Sequence, residues 1–484
     1  MTEFRQPTAR VRNGAPATQG TIPPHADETI GSGFAGEIIR PCDPEYDSTR
    51  RVWNGMIDRH PRLIARPRTL ADIKLGIRFA LDHQLPLAVR GGGHNVTGSG
   101  TCDDGLVLDL SLMRTVDVDP VERVVRAQGG ATWGDLDRAA AAYGLATTGG
   151  MISSTGIGGL TLGGGVGWLM RAYGLACDNL LQTTLVTARN EVITVDDARN
   201  PDLFAALRGG GGNFGVVHEF TYRLHPVTEV LGGYVIHTVE RAQDVLDFYA
   251  HWCRTAPDTV TTAAAFFTAP TDPALPAALR GKPALMVALC ALGDADEREQ
   301  LAEALRRFGP PAVDLVQPMP YPQQQSLLDA GSPPGMRNYW KPGYISDLPP
   351  RLIADLVEFA ACPPSPSAQI LIHQLGGAVA RVPPGHTAAA HRDAPYLVNA
   401  VGMWDSPSDD DRNISWVRSL HKRLNPFCTG TYVNYLADEG PAAATAAYDP
   451  ATRALLERVK TRWDPDNIFR PSHNVSPRPE SASG

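Results

Sequence analysis

The chain has 484 residues, with 44 Lys and Arg against 52 Asp and Glu, for a formal net charge of −8. That length suits about two or three domains, and the sign of the charge excludes a protein that grips nucleic acid through a basic face. Hydrophobic residues at 43% and charged residues at 20% mark a folded globular chain without a membrane-length apolar run, and seven scattered cysteines lacking a CxxC pair exclude a disulfide framework or zinc ribbon and fit a reducing cytoplasm.

Residues 1–35 read as a polar, Pro-rich arm without the apolar centre of a secretion signal. Thr69 opens an amphipathic helix whose apolar face is Ile73, Ile77, Phe79, Ala80 and Leu81. Leu85 to Arg90 is a short strand running directly into Gly91-Gly92-Gly93-His94, and Gly105 to Leu110 and Glu122 to Ala127 are further strands. Trp133 to Tyr143 reads as a helix closed by Gly144. Strands at 183–188 and 191–195, a helix at 201–207 and a strand at 216–224 follow a Gly-dense stretch at 149–167. After His225-Pro226 the glycine clusters vanish, and residues 228–430 read as a second domain. The tail from 431 carries a strand-like Tyr432-Val433-Asn434-Tyr435, a helix from Pro450 to Arg462 and the turn Trp463-Asp464-Pro465-Asp466-Asn467.

Of the 47 glycines, many fall in three clusters: 91–93, 149–167 and 209–212. Glycine lets successive backbone N–H groups converge and lets a ligand approach the main chain. Three such loops in one region suggest a dinucleotide held by backbone donors. Gly210-x-Gly212-x-x-Gly215 matches GxGxxG, but it lies after a helix and before a strand, the reverse of the dinucleotide-binding context, and no GxxxxGK[ST] occurs. His386 and His391 lack a third ligand in view, so no metal is expected.

Arg90-Gly91-Gly92-Gly93-His94, the run Ser154 to Gly165, Arg171 to Asn179, Gly209 to Gly215, His391-Arg392-Asp393, Tyr432-Val433-Asn434-Tyr435 and Trp463 to Arg470 occur in one order along the chain. Together they resemble the FAD-linked oxidases of the berberine-bridge-enzyme type, in the vanillyl-alcohol-oxidase superfamily. The resemblance implies an α+β protein. Its two-part FAD-binding domain would comprise 36–227 and 431–484, with an inserted substrate domain of antiparallel sheet and helices at 228–430. It implies FAD bound through Arg90, Gly91, Gly92, Gly93, His94, Asn95, Gly150, Ser154, Thr155, Gly158, Gly159, Gly165, Gly215, Val217, Tyr432 and Asn434. His94 stands where relatives bond a ring nitrogen to the flavin 8α-methyl, and a neutral imidazole is a competent nucleophile near neutral pH. Ile152 stands where many relatives carry a second linking Cys, which implies a single link; Cys177 lies too far along to substitute.

Val166 replaces the Tyr often found in carbohydrate oxidases, and the small Thr155 favours dioxygen access to the flavin. Tyr435 holds the family's usual place for a base, with Asn399 where relatives often carry Gln or Glu; a strand would put Tyr435 on the face opposite Asn434. A phenol of ordinary pKa ~10 needs a nearby cation or dipole to serve as a base. Asn338 to Lys341 and Gln374 are further candidates for the pocket. The implied activity is an oxidase passing hydride from a small alcohol, amine or natural-product scaffold to FAD and then to dioxygen, without nucleic-acid or membrane partners. A dehydrogenase with another acceptor, or a flavin protein with a redox-neutral cyclisation role, remains the alternative.

Overall fold

The computed structural model describes residue 30 and residues 33–307, 309–440 and 447–478; most of the N-terminal arm expected at 1–35 lies outside the described residues. The fold is α+β. A first sheet has the order β1-β2-β4-β3, from β1 (Glu37–Ile39), β2 (Leu63–Arg66), β3 (Leu87–Arg90) and β4 (Leu106–Asp109). The pairs β2–β4 and β3–β4 are parallel, so the chain must cross over, and the helix Leu70–Asp82 provides one crossing. A reciprocal cap fixes its start: the Thr69 hydroxyl accepts the Asp72 N–H while the Asp72 carboxylate accepts that of Thr69. Ile73, Ile77, Phe79 and Ala80 are buried against the sheet, as their spacing predicts.

A second, wholly antiparallel sheet takes the order β5-β6-β9-β7-β8, from β5 (Val116–Asp119), β6 (Val124–Gln128), β7 (Leu180–Val186), β8 (Val192–Val195) and β9 (Val216–Arg223). The helix Trp133–Ala141 packs on it, and Gly144 follows at φ +67°, a conformation that favours glycine.

From Glu229 onward the strands join a third sheet, also antiparallel. Its strands are β10 (Glu229–Thr238), β11 (Val260–Thr268), β12 (Pro283–Ala291), β13 (Val313–Asp314), β14 (Gln317–Pro320), β15 (Arg337–Ile345), β16 (Gln369–Gln374), β17 (Tyr396–Trp404) and β18 (Cys428–Gly430). They run β13-β10-β12-β11-β16-β17-β15-β18, with β14 also on β10. One face carries Ile370, Ile372, Val398 and Ala400 into a core covered by the helices Ala242–Cys253, Pro350–Ala361 and Asp410–Leu424. The opposite face carries Ala263, Ala288, Tyr344 and Leu397 into contact with Met151, Val166, Trp168 and Tyr432 of the glycine-rich half and the tail. This second face positions the site.

The tail closes back on the first sheet. After the helix Pro450–Trp463, Asp464 accepts the N–H groups of Ile468 and Phe469, and Phe469 bridges to Leu87. The segment 432–435 is not the strand its alternating aromatics suggest: Val433–Tyr435 forms a single 3₁₀ turn. The Tyr432 hydroxyl accepts the N–H groups of Gly165 and Val166, while Asn434 Nδ2 donates to the Leu160 carbonyl. These bonds draw the segment over the glycine loop instead of into a ladder.

Candidate active site

The glycine loops meet each other closely. A Cβ on Gly92 would lie 2.3 Å from the Gly156 nitrogen, so both residues are glycine because two backbones touch there. Gly215 and Gly165 are also explained by packing, against Leu185 and Ala176. Gly91 approaches the Gly129 carbonyl, Gly93 takes φ +70° and Gly158 lies against Phe220. Gly159 and Gly212 differ: a Cβ on either meets nothing within 4 Å, so each borders open space.

The polar residues beside the loops are largely committed to holding them. Arg90 donates to Asp109 at 2.8 Å in a buried ion pair at the end of β3. Asn95 Oδ1 accepts the N–H groups of Thr97 and Ser99, and the Gly150 carbonyl accepts Gln325 Nε2 at 2.6 Å. The Thr155 carbonyl accepts the Trp133 N–H, and Val217 is buried in the second core with its carbonyl against Gly129. Tyr432 and Asn434 hold the Gly163–Val166 turn, as above. Of the expected cofactor residues, these act on the loops through the contacts seen here.

His94 projects from the end of the first loop. Its Nε2 lies 3.1 Å from Ser154 Oγ, and its ring stacks on Trp53 with centroids 5.4 Å apart. Burial pushes its pKa down to about 4, against a smaller opposing pull from Asp329. From Trp53 a train of rings leads across the third sheet: Trp53 to Trp340 at 5.6 Å, Trp340 to Tyr435 at 5.5 Å, and Tyr435 to His373 at 5.9 Å. Asn54 pins this side, donating from Nδ2 to the carbonyls of Val96 and Asn338.

Register decides which side chains face the site. His373 pairs with Leu397, Leu371 with Asn399 and Pro342 with Asn399, so His373 and Asn399 share a face with Leu397 and Tyr344. Both are buried, and neither ring nitrogen of His373 nor either amide atom of Asn399 has a hydrogen-bond partner among the described residues. Buried polar atoms without partners are costly, so four on one face point to a ligand there. Burial lowers the His373 pKa to about 4 and raises that of Tyr435. Gln374 points the other way, donating to the Cys253 carbonyl and accepting from Thr262 Oγ1, so it does not line this face. Sequence reading missed His373, Trp53 and Asp329; only the strand parity of 369–374 could have flagged the first.

The loops of two motifs fasten the halves together. Arg171 donates to the carbonyls of Val260, Leu375, Ala256 and Pro257, and Arg392 pairs with Asp178 at 2.7 Å. Among the described residues no group of three or more His, Cys, Asp or Glu side chains is arranged to hold a metal, and no helix is long and apolar enough to cross a membrane.

Glycine loops of which two border open space, a half-buried His beside them and a facing sheet with unsatisfied polar atoms fit a flavoenzyme architecture. Residues 61–196 match the family described as FAD binding domain and 431–476 that described as berberine and berberine like. The chain is 33% identical to an FAD-linked oxidoreductase of Dictyostelium discoideum, covering 91% of this chain and 95% of the relative. It is 31% identical to (R)-6-hydroxynicotine oxidase of Paenarthrobacter nicotinovorans, over 91% and 97%. The crystal structure of 6-hydroxy-D-nicotine oxidase from Arthrobacter nicotinovorans superposes with TM-score 0.81 at 30% identity, covering 92% of this chain and 98% of that one. The fold is also that of a berberine-bridge-enzyme-like protein of Physcomitrella patens, TM-score 0.84 at 22% identity over 94% and 100%. The chain belongs to the FAD-linked oxidoreductases of the berberine-bridge-enzyme-like family.

Proposed function

We propose that this protein is an oxidase that takes hydride from a small neutral alcohol or amine onto FAD and passes the electrons to dioxygen as hydrogen peroxide. In this reading residues 36–227 and 431–484 bind FAD, residues 228–430 bind substrate, and FAD is joined to the chain once, through His94. The observation that carries it is the train of rings from His94 to His373, which ends beside the unsatisfied amide of Asn399. The likeness to a hydroxynicotine oxidase favours a compact aromatic or heteroaromatic substrate.

FAD, when bound, supplies the hydride acceptor. The chain supplies the rest. With Nε2 engaged by Ser154, Nδ1 is the His94 nitrogen that would be left to bond the flavin. His373 is neutral at pH 7 and has nitrogens free to take the O–H or N–H proton of a substrate. Asn399 offers a donor and an acceptor to orient that group. Tyr435, its pKa raised by burial, keeps its proton and donates a hydrogen bond in place of acting as the base. Trp53 and Trp340, packed edge to face between His94 and Tyr435, would shield this side from water.

The test is anaerobic mixing with sugars, benzylic alcohols, amines and phenolic scaffolds, followed by admission of air. Bleaching of the flavin by one class, with colour and hydrogen peroxide appearing on aeration, is the expected result. Bleaching that air does not reverse makes the protein a dehydrogenase. No bleaching where dithionite still reduces the flavin favours the redox-neutral role.

A further inference from the structure

Asp329 stands in a short turn, Asp329–Gly331, of the substrate-binding half, yet its carboxylate reaches the loop that carries Ser154. Oδ1 accepts the Ser153 N–H at 2.8 Å and Oδ2 accepts the Ser153 hydroxyl. The next residue, Ser154, contacts His94 Nε2. This chain of contacts runs from the third sheet's connections to the nucleophile in two residues. We propose that Asp329 is the positioning residue and counter-charge for covalent attachment of FAD, so that attachment at His94 depends on the substrate-binding half being docked. The proposal rests on the His94 reading above.

The bond formed joins His94 Nδ1 to the flavin 8-methyl carbon; one methyl C–H bond breaks and the imidazole N–H proton is released. The two electrons left on the flavin, with the two protons, go to dioxygen as hydrogen peroxide. Until the N–H proton leaves through Ser154 Oγ, the ring is an imidazolium in a site whose burial opposes charge on it. Among the charges acting on His94, that of Asp329 is the one favouring its cationic form. The Ser153 bonds hold the carboxylate at the residue next to the one whose hydroxyl contacts the ring.

The test uses full-length protein produced in a riboflavin-limited host and then given FAD, with acid-insoluble flavin followed over time and over pH. Asp329→Asn retains an acceptor for Ser153 but removes the charge. It is expected to bind FAD as wild type does, by quenching of flavin fluorescence, and to attach it on the order of tenfold more slowly, with Asp329→Glu recovering much of the rate. Attachment by Asp329→Asn at the wild-type rate, or slow attachment that merely follows loss of FAD binding, overturns the proposal. Absence of acid-insoluble flavin in the wild type itself overturns the His94 reading, and this inference with it, before any variant is compared.

Discussion

His373 and Tyr435 face each other with ring centroids 5.9 Å apart and planes tilted by 41°, although they come from a sheet strand and a tail turn. Burial acts on the two in opposite senses, leaving the imidazole neutral and the phenol protonated at pH 7. With a substrate found by the anaerobic panel, His373→Gln is expected to slow flavin reduction by about 10²–10⁴-fold. Tyr435→Phe is expected to cost about tenfold or less, the loss of one hydrogen bond. The rapid-reaction rate of flavin bleaching checks both. Flavin content and reduction by dithionite should be unchanged, and the reverse ranking would return the base to Tyr435.

Gly159 and Gly92 differ in what a side chain would meet, open space at one and backbone at the other. Gly159→Val places its side chain in open space, so the protein should fold with its melting temperature little changed but lose most of its flavin, read as the ratio of absorbance at 450 to 280 nm, two wavelengths on the order of those used for any flavoprotein. Gly92→Ala drives a Cβ into the Gly156 backbone and should destabilise the fold itself, seen as a lower melting temperature before flavin is added.

The tail is held by a buried ion pair. Lys460 donates to Asp464 at 2.7 Å and to the carbonyls of Asn213 and Phe469, with both side chains fully buried. Lys460→Met leaves the Asp464 charge buried without its cation, at an expected cost of about 3–5 kcal/mol. Denaturant unfolding should show this as a lowered midpoint.

Besides His94, three histidines set an acid limit. His225, His373 and His473 are each held near pKa 4, chiefly by desolvation, against an ordinary 6.5. As pH falls below 6.5 the unfolded chain binds these protons and the folded chain does not, so unfolding gains. Their contribution is complete above about pH 6.5 and is lost progressively down to about 4. The melting temperature should therefore fall steadily across that window; a flat profile there would contradict it.

What the sequence made legible is local. The Thr69 cap and the spacing of Ile73, Ile77 and Ala80 identify a helix because both signals act within a few turns. The Gly91–Gly93 run is legible because a close backbone approach, as between Gly92 and Gly156, demands glycine. His373 was not legible because its role comes from register: one residue along, Gln374 has the opposite facing and bonds into the helix layer. Tyr432 to Tyr435 misled because alternating aromatics imitate a strand, whereas side-chain bonds to Leu160, Gly165 and Val166 bend the chain into a turn. Asp329 carries no local pattern; its meaning depends on Ser153, far away in the chain.

The proposed attachment of FAD at His94 is tested most directly by the intact mass of acid-denatured protein, wild type beside His94→Ala. One FAD per chain is expected to stay with the wild type and none with the variant. FAD released from the wild type by acid, or retained by His94→Ala, would contradict it.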